Sequence, residues 1–428
     1  MNLNLKNIGK WLYPGIKMKR WMFLIIIGLI LTFSGIALII DVHFIAVMEK
    51  VIFYLNYYLI GPESSIFYWI IALVILISGI SLTLWSFRKI EDRLSKEFLS
   101  NQEMIDVLYE NSLLQKGPNI VSLGGGTGLS NLLRGLKKYS SNITAIVTVA
   151  DDGGSSGKLR DELNILPPGD IRNCLVALAD REPLMKKLMQ YRFSNEGHLV
   201  GHSFGNLFIA SMTEVTGDFE KAIKESSKVL ALKGQVLPAT NENIQLGAIY
   251  EDESVKMGES EIPREEKNIK KVFLKPASCH TTEEALTAIK EAEIITVGPG
   301  SLYTSILPNL LVEGIAEALK ESKALKVYIC NVMTQPGETT GYSAGDHVKT
   351  IYNHVEDDLF DYIIINNEKG SKKLREKYEE EGSYPVEIDR KQIKKLGLEL
   401  IEDNLLSSNN YLRHDPENTA KRILELVR

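Results

Sequence analysis

The chain has 428 residues, 44% of them hydrophobic and 24% charged, with a formal net charge of −6. That length admits more than one domain, and the negative balance gives no electrostatic case for a nucleic-acid partner. Three scattered cysteines, Cys174, Cys279 and Cys330, form no C-x-x-C, which argues against a disulfide framework or a structural zinc and suits a reducing compartment.

Residues 1–20 are basic, with Lys6, Lys10, Lys17, Lys19 and Arg20 and no acid. Residues 21–40 are an uncharged run of bilayer-spanning length. Residues 66–87 are a second, edged by Tyr68, Trp69, Trp85 and Phe87 as an interfacial aromatic belt would be. A cleaved signal peptide has a shorter apolar core and leaves the second run unexplained. Two buried core helices are the alternative. The intervening residues 41–65 hold Asp41, Glu49 and Glu63 against Lys50, whereas Arg88, Lys89, Arg93 and Lys96 follow the second run. The positive-inside rule then predicts a two-pass hairpin in the cell membrane, residues 41–65 being an external loop and both termini and the main body cytoplasmic.

Residues 88–118 read as an amphipathic helical connector, with Ile90, Leu94, Phe98, Ile105 and Leu108 at roughly helical spacing. A short coiled coil between chains, and so a homo-oligomer, is compatible with it. Gly117-Pro118 closes it.

From Asn119 to the C-terminus, apolar strands alternate with helical patterns. Strands are expected at Ile120–Leu123, Ile143–Val149, Ile294–Val297, Val327–Cys330 and Tyr362–Ile365, and helices at Ile171–Leu178 and Ile306–Leu319. This is the pattern of an α/β, Rossmann-like domain with a mostly parallel sheet and helices on both faces. Gln235–Leu274 reads instead as an antiparallel excursion.

The first strand runs into Gly124, Gly125, Gly126, Thr127 and Gly128, and then Leu129, Leu132, Leu133 and Leu136 keep helical period. Glycines let the backbone come close to a ligand, and a helix start offers unpaired N–H groups to phosphate. The register is neither G-x-G-x-x-G nor a Walker motif, so a plain tight turn is the competing reading. After the second strand come Asp151 and Asp152, placed to hold a ribose or Mg²⁺, or simply to form a solvated turn. Leu166–Asn173 offers Asp170 either as a catalytic carboxyl or as a cap for a helix starting at Ile171, with Arg172 and Asn173 in reach of a phosphate or base. Gly201–Leu207 contains a loose G-x-S-x-G around Ser203, but no good strand precedes it, so His202 and Asn206 read better as polar ligand contacts. Gly298, Gly300 and Ser301 repeat the strand–glycine–helix arrangement, a second seat for a ligand with two phosphates. Asn331 and Gln335 have the paired donors and acceptors that read a base edge, unless their loop is a lid or plain surface.

In this order the segments LGGGTGLS, TAIVTVADDGGSSGKLR, ILPPGDIRNCLVALA, GHSFGNL, VGPGSLYTSILPNLLV and NVMTQPGETTGYSAGDHV resemble the gluconeogenesis factor family, relatives of 2-phospho-L-lactate transferase. The resemblance spans roughly Asn119 to the C-terminus. It implies a Rossmann-like domain binding a UDP-sugar, usually UDP-N-acetylglucosamine, with no required cofactor and no settled activity. It also implies a role in cell shape and envelope synthesis during gluconeogenic growth, through an envelope-synthesis protein partner. The family's ligand contacts near the C-terminus would fall on Tyr378, with Tyr384 close by, and on Arg413. The typical member is soluble, whereas this chain adds the hairpin. Three functions follow for testing: a UDP-sugar-binding regulator, a transferase holding Mg²⁺ on Asp151 and Asp152, and an NAD-type dinucleotide protein.

Overall fold

The computed structural model describes residues 19–39, 50, 54, 65–98, 113–180, 182–194, 197, 199–407 and 411–427. The chain divides into two compact units, residues 1–110 and 111–428.

Among its described residues the first unit holds two helices, Lys19–Ile39 and Ser65–Phe98. Each contains a run long and apolar enough to cross a membrane, Arg20–Ile39 and Trp69–Asp92. Only 17% of each run is buried, which disfavours the alternative of two soluble-core helices. Small residues bring the pair together, because a Cβ on Gly79 would stand 2.5 Å from the Thr32 amide nitrogen and one on Gly35 2.7 Å from that of Leu76. Trp21 and Trp85 meet edge to face at 5.1 Å. The second helix continues unbroken to Phe98, so the first third of the connector prolongs the span rather than forming a separate element. Lys6, Lys10 and Lys17, most of the external loop, and Ile105 and Leu108 lie outside the described residues.

The second unit is built on a seven-stranded sheet in the order β10-β9-β8-β7-β1-β2-β3. Its strands are β1 (Ile120–Gly124), β2 (Ile143–Val147), β3 (Gln235–Pro238), β7 (Ile294–Val297), β8 (Leu325–Ile329), β9 (Tyr362–Asn366) and β10 (Glu399–Asp403). Every pairing in it is parallel. Every residue of β1, β2 and β7 is buried, as helices over both faces of a parallel sheet require. The helix after β1, Gly126–Leu136, buries Leu129, Leu132, Leu133 and Leu136. Each such leucine contributes roughly 1.5–3 kcal/mol of burial free energy.

Three details depart from the expected layout. Gln235–Pro238 belongs to the main sheet as edge strand β3, and the excursion starts only after it. The excursion is a three-stranded antiparallel sheet of β4 (Gln245–Tyr250), β5 (Val255–Met257) and β6 (Ile269–Lys275). The expected helix Ile306–Leu319 is broken: a π-helical turn, Leu302–Ile306, leads into Leu307–Leu310, and Gly314 at φ 94° starts Ile315–Glu321.

Candidate functional site

Chain order in the sheet reverses between β1 and β7, since β1 leads outward through β2 to β3 and β7 outward through β8 and β9 to β10. Ligands of open α/β sheets bind at the carboxyl ends of the strands beside such a reversal. The two glycine loops leave the sheet there. They come into contact, for a Cβ on Gly128 would lie 2.3 Å from the Pro299 carbonyl oxygen. Gly126 takes φ 61°, a left-handed angle costly to other residues, and its Cβ position faces open space apart from Ser305 Oγ at 3.9 Å. The buried Asn309 braces both loops, donating through Nδ2 to the Gly124 carbonyl at 2.9 Å and the Ser305 carbonyl at 2.7 Å.

A cleft of about 260 Å³ opens between the loops. It gathers Gly125, Gly126, Thr127, Gly128, Gly300, Ser301, Asn331, Gln335, Tyr378 and Arg413, residues spread over nearly three hundred positions. Gly124 and Gly298 lie at the strand ends behind it and do not line it. Arg413 arrives by helix packing. The C-terminal helix Pro416–Glu425 lies on Gly126–Leu136 so closely that a Cβ on Gly135 would overlap the Pro416 carbonyl oxygen. Asn131 Nδ2 donates to the His414 carbonyl at 2.6 Å, fixing the preceding loop. Tyr384, by contrast, pairs its backbone with Thr334 and leaves its ring 50% exposed, outside the cleft lining.

Asn331 and Gln335 do not stand free to read a base. Asn331 accepts from the Gly300 amide at 3.1 Å and donates to the Gly300 carbonyl at 2.8 Å, while Gln335 Nε2 donates to Ser301 Oγ at 2.7 Å. They hold the second glycine loop in shape.

The remaining predicted residues are elsewhere. Asp151, Arg172, Asn173 and Asn206 line a second cavity of about 250 Å³, together with Arg192 and the helix starts at Gly154 and Gly169. His202 is buried beside it, its Nδ1 3.2 Å from Ser155 Oγ. Ser203 caps the helix Phe204–Thr216, accepting from the Asn206 amide, and also takes Arg172 Nη1 at 2.6 Å, so a nucleophile role has no geometric support. Asp170 is not an N-cap, because the helix starts one turn position earlier, at Gly169 with Pro168 before it. Its carboxyl instead lines the second cavity and packs against the first glycine loop, where a Cβ on Gly125 would stand 2.6 Å from Oδ2.

Asp151 and Asp152 diverge. Asp152 accepts from the Glu259 amide at 3.0 Å and the Ser260 amide at 2.9 Å, docking the antiparallel excursion on the carboxyl end of the sheet. Asp151 accepts from the Gly153 amide at 2.9 Å. As arranged they do not fit a shared Mg²⁺, and among the described residues no three His, Cys, Asp or Glu side chains are grouped to hold a metal.

Two carboxyls that sequence reasoning missed complete the electrostatics. Burial, reinforced by Asp151, Asp170, Asp152 and Glu338, pushes Glu259 up to about 8. Burial likewise pushes Glu338 up to about 7, and Asp170 up to about 6 with help from Asp151. Glu259 lies in a charged stretch of the excursion and nothing local marks it; only the docking by Asp152 brings it in. A larger cavity, about 960 Å³, lies over the amino-terminal parts of β1–β3 between the helices Phe219–Val229 and Glu283–Glu291. It contains none of the predicted residues and no glycine loop at a strand's carboxyl end, so the smaller cleft is the better site.

This fold and cleft define a class: doubly wound α/β proteins with a cleft of glycine loops at the sheet's reversal point. The comparisons make the class specific. A family model described as 2-phospho-L-lactate transferase CofD matches residues 120–406. A putative gluconeogenesis factor from Nostoc sp. is 44% identical over 97% of this chain and 92% of its own. The gluconeogenesis factor of Bacillus subtilis is 52% identical over 73% of this chain and 98% of its own. A crystal structure of a UPF0052 family protein from Bacillus halodurans, 52% identical, superposes with a TM-score of 0.70 over 72% of this chain and 99% of that one. The chain belongs to the CofD-like gluconeogenesis factor family.

Proposed function

We propose that the protein is a membrane-tethered regulator that binds a UDP-sugar, UDP-N-acetylglucosamine being the candidate, in the cleft between its glycine loops. The observation that carries this is the convergence of both glycine loops with Tyr378 and Arg413 on one cleft at the sheet's reversal point. The pyrophosphate sits on the start of Gly126–Leu136, where unpaired N–H groups and the helix dipole favour anions. Gly300 and Ser301 line the facing wall, held by Asn331 and Gln335. Arg413 pairs with phosphate and Tyr378 packs on the base or sugar.

The hairpin keeps this body at the cytoplasmic side of the cell membrane, since the basic flanks lie on the body's side. Occupancy then alters binding to an envelope-synthesis partner that governs cell shape under gluconeogenic growth. It does so only as far as the ligand prefers one conformation of the protein. Calorimetric titration of the full chain in detergent with UDP-N-acetylglucosamine tests the reading. Saturable heat that NAD does not compete away is expected; no heat at millimolar ligand overturns it.

The matched family model carries a transferase description, which favours a second reading in which a group is transferred at the same cleft. The divergence of Asp151 and Asp152 weighs against it. Recovery of the nucleotide sugar intact after long incubation with Mg²⁺ supports the regulator; turnover supports the transferase.

A further inference from the structure

The cavity lined by Asp151, Arg172 and Arg192 has a chemistry of its own. Arg172 is buried, 9% exposed, and its guanidinium faces the cavity. Its Nη1 donates to Ser203 Oγ at 2.6 Å and Asn206 Oδ1 at 2.8 Å, and its Nη2 to Asn173 Oδ1 at 2.9 Å. All these acceptors are neutral, and Nε has no partner. The Asp170 and Asp151 carboxylates favour the Arg172 charge without hydrogen-bonding it, so burial still weighs against the cation and one donor stays orphaned. Arg192 lines the same cavity, donates Nη1 to the Gly201 carbonyl at 3.0 Å, and adds to the burial that chiefly disfavours Arg172's charge. Neither arginine makes an ion pair with a described residue.

Two helix starts add to this. Gly154–Leu163 and Gly169–Leu178, ten residues each, open onto the cavity with N–H groups that have no partner inside the helix. A Cβ on Gly169 would crowd Ser156 Oγ and stand 2.7 Å from Asp151 Oδ2, so glycine suits the close approach of the two starts. Asp151 and Asp170 also line the cavity; Asp151 accepts from the Gly153 amide at 2.9 Å, and burial pushes Asp170 up to about 6, which moderates its charge.

We propose that this cavity is a separate oxyanion pocket, taking a phosphate group between Arg172, Arg192 and the two helix starts. The ligand is a second one, distinct from whatever occupies the glycine-loop cleft. Asp170 lines this pocket, and its Oδ2 stands 2.6 Å from where a Cβ on Gly125 of the other cleft would lie, so one side chain adjoins both sites.

The test uses inorganic phosphate, titrated into the full chain in maltoside micelles and followed by phosphorus NMR line broadening. Arg192 is exposed, so Arg192→Gln and Arg192→Lys preserve the fold. Saturable broadening is expected in the native chain. Arg192→Gln weakens it about tenfold, the scale of one charge-assisted hydrogen bond, and Arg192→Lys restores part of it. Gly126→Val, or Thr127→Tyr if the first variant fails to fold, fills the other cleft and leaves the broadening in place. No broadening in the native chain overturns the proposal. So does an affinity that Arg192→Gln leaves unchanged, or one abolished by filling the glycine-loop cleft. The test makes no use of UDP-sugar binding, so it stands or falls independently of that reading.

Discussion

At the residue scale, the cleft separates tyrosines that sequence alone leaves adjacent. Tyr378 lines it and Tyr384 does not. Tyr378→Ala and Arg413→Ala should each weaken UDP-N-acetylglucosamine about tenfold, and Tyr384→Ala less than about twofold, by calorimetry. Glu259 allows a second prediction. Its carboxyl is raised in the fold, so the folded protein binds that proton more tightly than the unfolded chain. Its contribution is full below the ordinary carboxyl range and is lost as pH rises toward 8. Glu259→Gln removes the penalty. Its Tm should exceed the native value by ~2–4 °C near pH 9 and match it near pH 4. An equal Tm near pH 9 would show that water relieves the charge. None of Glu259, Arg192 or Asn309 stood out in the sequence, because each acquires its role from a partner dozens to hundreds of positions away.

At the scale of elements, buried parallel strands were legible because both faces are covered and most residues are apolar: β1, β2 and β7 read as short apolar runs interrupted by Ser122, Gly124, Thr144 and Thr296. The edge strands were not. β3 begins at an exposed Gln235 and ends at Pro238, and β10 carries Glu399, Glu402 and Asp403, the composition edges use to stay soluble. Asp170 was misjudged for a related reason. Asp near a helix start reads as a cap, yet the backbone begins the helix at Gly169 and leaves the carboxyl to pack against the glycine loop at Gly125. The packing of Pro416–Glu425 on Gly126–Leu136 links stability to binding. Gly135→Ala pushes a methyl group into the Pro416 carbonyl. It should cost roughly 1–3 kcal/mol in denaturant unfolding and also weaken the UDP-sugar, although residue 135 is outside the cleft. Lost stability with unchanged affinity would mean that Arg413 does not depend on that helix.

At the scale of the whole molecule, the relatives fall into two lengths. Those from Nostoc sp. and Clostridium acetobutylicum match 97% of this chain, apolar hairpin region included. Those from Bacillus subtilis and Halalkalibacterium halodurans match 73% and 72% of it, although 98% and 97% of their own length is covered. The α/β body is therefore the shared part, and the two apolar helices are an addition that some members carry. In the proposed function the addition changes where the ligand is sensed and leaves the cleft as it is.

The central claim is that the glycine turn after β1 seats the ligand. Paired titration of the native full chain and its Gly126→Val variant with UDP-N-acetylglucosamine tests it most directly. A side chain at 126 strains a φ of 61° and projects into the cleft. The account predicts saturable binding by the native chain and none by a folded Gly126→Val. Equal affinity in the two would contradict it and reduce the turn to a structural corner.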